Sequence, residues 1–108
     1  MLSYAKALEL AANWVRVVTD GRLQIIEERT ITKPYGWVFF YNSPDPKVVI
    51  AGNAPIIVDR VNGEVRITGT GRALKSYLDD YEATLPPARL QMGLPSEPSS
   101  QTPPRSSA

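Results

Sequence analysis

The chain contains no cysteine and no histidine. Thiolate nucleophiles, imidazole bases, the usual zinc ligands and any disulfide framework are therefore excluded, and no metal or other cofactor is expected. Charge of one sign is also missing: 12 Lys and Arg stand against 11 Asp and Glu, a formal net charge of +1. Nucleic-acid binding normally shows as clustered basic residues, whereas Arg16, Arg22, Arg29, Lys33, Arg60, Arg66 and Arg72 are interleaved with Glu27, Glu28, Asp59 and Glu64. No nucleic-acid partner is expected. No basic segment precedes an apolar stretch of signal-peptide length, and no apolar run approaches the ~20 residues needed to span a bilayer. These absences point to a cytoplasmic domain with no membrane partner, whose function lies in its surface.

Proline and serine divide the chain. Residues 85–108 hold six of the ten prolines and five serines without a long apolar run, so this segment reads as a disordered tail or linker. Residues 1–84 form the expected domain, with ten basic and ten acidic residues. A chain of that size buries roughly 60–65% of its unfolded surface, enough for one core.

Over 3–18, Ala5, Leu8, Ala12 and Val15 recur at helical spacing, with Leu10, Trp14 and Val17 in the neighbouring stripe. The expectation is an amphipathic helix capped by Ser3 and closed at Asp20-Gly21. Residues 23–32 read as one half-buried strand. Residues 37–42 read as a second, apolar on both faces, with Trp37, Phe39 and Tyr41 on one side and Val38 and Phe40 on the other. Such a strand belongs centrally, covered on both sides. Residues 43–46 are a loop by composition, and 48–55 fit either a short strand or an extended arm. Asn62-Gly63, between the apolar runs 56–59 and 64–68, predicts a hairpin in which both residues take positive φ. Leu74, Tyr77, Leu78 and Tyr81 predict a second helix over 72–83, with Thr70 as N-cap and Pro86-Pro87 as stop. The fold class is α+β: an N-terminal helix, an antiparallel meander of three to four strands, and a C-terminal helix.

The chemistry is sparse. Glu27-Glu28 and Asp79-Asp80 are adjacent pairs, and adjacent side chains diverge on strand or helix alike, so neither pair converges on a reacting atom. Gly69-x-Gly71 before a helix lacks the remaining residues of a dinucleotide or phosphate loop and reads as a turn. The aromatics over 37–41 fit core packing better than a base-stacking platform. No enzyme is expected. Asn53 and Asp59, polar beside apolar runs, read as organisers of local turns.

Several ordered motifs carry a family resemblance: Tyr35 to Phe39 (YGWVF), Gly52 to Pro55 (GNAP), Ile56 to Asp59 (IIVD), Gly63-Glu64, Gly69 to Gly71 (GTG) and Tyr77-Leu78 with Tyr81. Over about residues 3–83 the chain resembles the YrhB-like domain, also called the immunity protein 35 family. The resemblance implies a small bacterial α+β domain of polymorphic-toxin loci that binds and neutralises a cognate toxin. It also implies, as the alternative, a chaperone-like holdase; a small structural or interaction module is the further alternative, with which the tail is compatible. Carried over position by position, it marks Trp37, Gly52, Asn53, Pro55, Asp59 and Gly63 as motif residues that hold the fold. The Pro-rich loop over 44–50, basic at Lys47, departs from the pattern and is where partner choice is expected. Tyr35, Tyr41, Arg60 and Arg66 are the aromatic and arginine anchors expected to bind the toxin.

Overall fold

The computed structural model describes residues 1–95. Ser3 starts the first helix, α1 (Tyr4–Val18), from an extended backbone, its hydroxyl accepting the Lys6 N–H at 3.1 Å. Thr19 closes it: its hydroxyl donates to the Val15 carbonyl at 2.7 Å and accepts the Leu23 N–H at 3.1 Å. Asp20 and Gly21 then turn the chain away at φ 56° and 75°.

The buried stripe of α1 is Tyr4, Ala7, Ala11 and Val15. This corrects the expected stripe, because Ala5, Ala12 and Val17 are exposed. Four alanines over 5–12 make several phases of the apolar pattern nearly equal. Tyr4 breaks the tie by stacking edge-on to Trp37, with ring centroids 5.9 Å apart. The choice leaves Val17 and Val18 facing water.

The region 23–42 is a long hairpin broken at matching places. Strand β1 (Gln24–Ile25) pairs with β4 (Tyr41–Asn42), and β2 (Ile31–Lys33) pairs with β3 (Gly36–Phe39), all antiparallel. The expected single strands 23–32 and 37–42 are thus each divided. Five residues, 26–30, oppose only two, 39–40. The surplus is absorbed in a 3₁₀ turn, Glu27–Arg29, whose charged residues favour exposure over pairing. One bond spans the joint, from the Ile26 N–H to the Phe40 carbonyl at 2.8 Å.

Strands β5 (Ile56–Asp59) and β6 (Val65–Ile67) complete a four-stranded sheet in the order β2-β3-β5-β6. Trp37, Phe39, Ile56 and Val58 face α1, while Val38 and Ile57 face the second helix, α2 (Leu74–Ala83), through Leu78 and Tyr81. The doubly apolar strand is central and covered on both sides, and the fold is α+β. Gly36 has φ 153°, and a Cβ there would lie 2.0 Å from the Val58 carbonyl oxygen, so β3 and β5 approach where no side chain fits.

Two local expectations change. In the β5–β6 hairpin only Gly63 has positive φ, at 72°; Asn62 does not, because Asp59 organises a wider turn that its own carbonyl closes on the Gly63 N–H at 3.0 Å. Helix α2 starts after Ala73 without a side-chain cap; Thr70 lies too far upstream to cap it.

The ordered chain also passes the expected boundary at residue 84. Leu85 packs beneath α2, a short helix α3 (Pro87–Leu90) follows, and the Gly93 carbonyl accepts from Arg60 at 2.7 Å. Residues 85–95 therefore belong to the domain, held by an ion pair described below. The expectation of disorder over 96–108 lies outside the described residues.

Candidate functional site

The anchors named from sequence are committed within the protein. Tyr35 is buried and donates its hydroxyl to Glu82 at 2.8 Å; burial, then Glu82, push its ionisation well above the ordinary tyrosine range. Tyr41 is buried against Trp14, and burial raises it too. Arg60 reaches across to Gly93 and to Met1, and Arg66 pairs with Glu64 at 2.6 Å while lying over the Tyr81 ring. Tyr35 and Tyr41 are thus corrected from surface anchors to core residues, Tyr35 packing against Tyr81 of α2 and Tyr41 against Trp14 of α1. Arg60 and Arg66 serve as internal ties.

The motif residues sit at turns and in the core. Trp37 is fully buried, Gly52 has φ 85°, and the Pro55 carbonyl accepts both the N–H and the hydroxyl of Thr68. Asp59, with no exposed surface, accepts from Tyr81 at 2.7 Å, from the Val61 N–H at 2.8 Å and from Arg89 at 2.5 Å. Burial alone would raise Asp59; the bonds from Tyr81, Val61 and Arg89 together with the Arg89 charge outweigh it and hold the carboxyl below its ordinary range. A carboxylate saturated with donors and shut from water organises structure and offers no free oxygen to a substrate. Among the described residues no group of three acidic side chains is placed to hold a metal ion.

The open chemistry lies elsewhere, where the loop 43–53 meets the end of α1. The loop is pinned by side chains. Asn42 donates to the Ile50 carbonyl at 3.0 Å and accepts the Ile50 N–H at 2.8 Å, reproducing a ladder pair with one side chain. Asn53 adds a second donor to that carbonyl at 2.8 Å. Inside the loop, Ser43 accepts the Asp45 N–H, Asp45 accepts the Lys47 N–H, and the Val48 N–H returns to the Asp45 carbonyl. A loop so fastened displays Val48, Val49 and Ile50, which are 45%, 80% and 42% exposed. Val17 and Val18 at the end of α1 are exposed as well, and Val18 and Leu23 form a cleft of about 400 Å³ with Val48 and Ile50.

Part of this was legible. The loop over 44–50, where the sequence places partner choice, supplies Val48, Val49 and Ile50 to this surface; the expected helix stripe includes Val17, which is exposed, and leaves out Val18, and no sequence pattern points to Arg22 on the cleft rim. An apolar run that belongs to no period of the neighbouring elements is the signal that locates such residues.

A four-stranded antiparallel sheet covered by a helix on each face, with a pinned apolar loop at one end, defines a small α+β protein. Over 88 residues, covering 76% of this chain and 90% of the relative, the sequence is 42% identical to the uncharacterized protein YrhB of Escherichia coli (strain K12). The chain belongs to the YrhB family. No protein-family model matches it, and no solved structure matches it.

Proposed function

We propose that the protein is a non-catalytic binding domain of the cytoplasm that covers a protein partner with the loop 43–53 and the end of α1. On the resemblance to the immunity protein 35 family, the partner is a cognate toxin whose active surface is occluded. The observation that carries this reading is the pinned display of Val48, Val49 and Ile50. Single exposed apolar residues are ordinary, but a loop held by several side-chain bonds with three adjacent apolar residues outward has its ordering cost met before any partner arrives. An interface of ~800 Å² per partner is within reach of one face of such a domain. Exposed valines also suit a holdase, the second reading.

A photo-crosslinking residue at position 49, used in the producing cell, tests both. Under the immunity reading it traps one protein stoichiometrically. That protein, expressed alone, arrests growth, and the wild-type chain but not Val49→Asp restores it. A broad spread of unfolded clients favours the holdase, and no crosslink defeats both.

A further inference from the structure

The cleft carries one uncompensated charge. Arg22 is the only charged residue lining it, and its side chain is exposed. Its Nε donates to the Thr19 carbonyl at 3.0 Å, which holds the stem, while its terminal nitrogens have no hydrogen-bond or ion-pair partner among the described residues. Two other clefts among the described residues include an acidic side chain. Beside β6, Arg66 is already paired with Glu64, and Asp80 also lines that groove. A smaller cleft of about 200 Å³, which also touches the loop, is lined by Arg29 and by Asp45. Of these three clefts, the one between α1 and the loop has a cation and no acidic residue in its lining.

We infer that this cleft takes an acidic amphipathic segment of a partner protein. A large aliphatic or aromatic side chain seats among Val18, Leu23, Val48 and Ile50, and an Asp or Glu nearby in the same segment pairs with Arg22. The volume lies within the range of small binding pockets, about 300–1,000 Å³. An arginine already held at Nε keeps its terminal fork free for a carboxylate, the geometry in which arginine binds with most direction. The inference rests on the docking reading of the patch and adds the partner's charge and shape.

The test is selection of a random 12-residue peptide display library on the full chain, followed by anisotropy with the enriched peptides. The expected peptides carry Asp or Glu within four residues of Leu, Ile or Phe. Their affinity falls about tenfold with Arg22→Glu and with Val48→Ser, and Asp/Glu→Lys in the peptide recovers binding to Arg22→Glu. Amide shifts at residues 18, 22, 48 and 50 accompany binding. Both substituted positions are exposed, so thermal melts of the variants match the parent. Enriched peptides without acidic bias, binding undiminished by Arg22→Glu, or no enrichment each overturn the inference. If charge-blind peptides still lose binding with Val49→Asp, the docking reading stands and only the acidic partner falls; if neither variant matters, both fall.

Discussion

Arg89 donates to both carboxylate oxygens of Asp59, at 2.5 and 2.6 Å, across 30 residues of sequence. The aspartate has no exposed surface, and the arginine comes from a segment whose composition is that of a tail. Removing one partner of a buried pair leaves a charge that the interior cannot solvate. Arg89→Ala is therefore expected to cost about 3 kcal/mol, lowering the melting temperature by roughly 12–24 °C for a domain this size. Truncation at residue 84, which also removes Leu85, is expected to cost at least as much. Calorimetry of the two variants checks this, and a parent-like melt for the truncation would show that α3 is an appendage.

The same pair sets an acid limit. Because the Asp59 carboxyl titrates below its ordinary 3.8 when folded, the folded state binds fewer protons than the unfolded state across that window. Its contribution is complete above about pH 4 and is lost as pH falls through the depressed folded value. Urea melts between pH 2 and 7 are expected to show this loss in the parent. Asp59→Asn, less stable at neutral pH, is expected to lack that part of the slope.

Tyr81 completes the cluster from α2. Its hydroxyl donates to Asp59 at 2.7 Å, so Tyr81→Phe is expected to cost about 1.5 kcal/mol, the lower end for a bond to a charged group. Since Tyr81 and Arg89 share one acceptor, the double variant Tyr81→Phe, Arg89→Ala is expected to depart from additivity by at least about 0.5 kcal/mol. Additive costs in a double-mutant cycle would mean that the two donors act independently.

How far the sequence reaches is visible in these residues. Ser3, Asp20-Gly21 and the alternation of Trp37, Val38 and Phe39 act through neighbours in the chain, and each was legible with the elements it organises. Arg89 acts on Asp59 through a contact that no local pattern encodes, which is why residues 85–95 read as tail. The division of 23–32 depends on a partner strand with fewer residues at the joint, again a non-local fact. At the candidate site, the loop's turn chemistry was legible from its prolines and Asp45. The exposure of Val17 and Val18 was not, because it follows from which of several alanine phases the helix buries.

Asn42 ties the display loop to the sheet, and its loss separates display from folding. Asn42→Ala removes both bonds to Ile50 and the one to the Ser43 N–H, all in a partly or fully exposed setting. The expected cost to global stability is small, about 1 kcal/mol. Hydrogen exchange at the Ile50 and Ser43 amides is expected to accelerate well beyond that of β3 and β5, whose protection reports global opening. Unchanged exchange at Ile50 would show that Asn53 and the internal turns suffice to hold the loop.

Val49 gives the sharpest division between stability and function. At 80% exposure it contributes little to the core, so Val49→Asp is expected to change stability by no more than about 0.5 kcal/mol. Val61, 43% exposed at the β5–β6 turn, is a control with comparable chemistry at another surface. If the loop is the docking surface, Val49→Asp abolishes partner capture by isothermal calorimetry while Val61→Asp leaves it intact. Equal losses in both variants would point to general apolar adhesion, because a holdase surface averages over its patches whereas a shaped interface concentrates its energy in a few central residues.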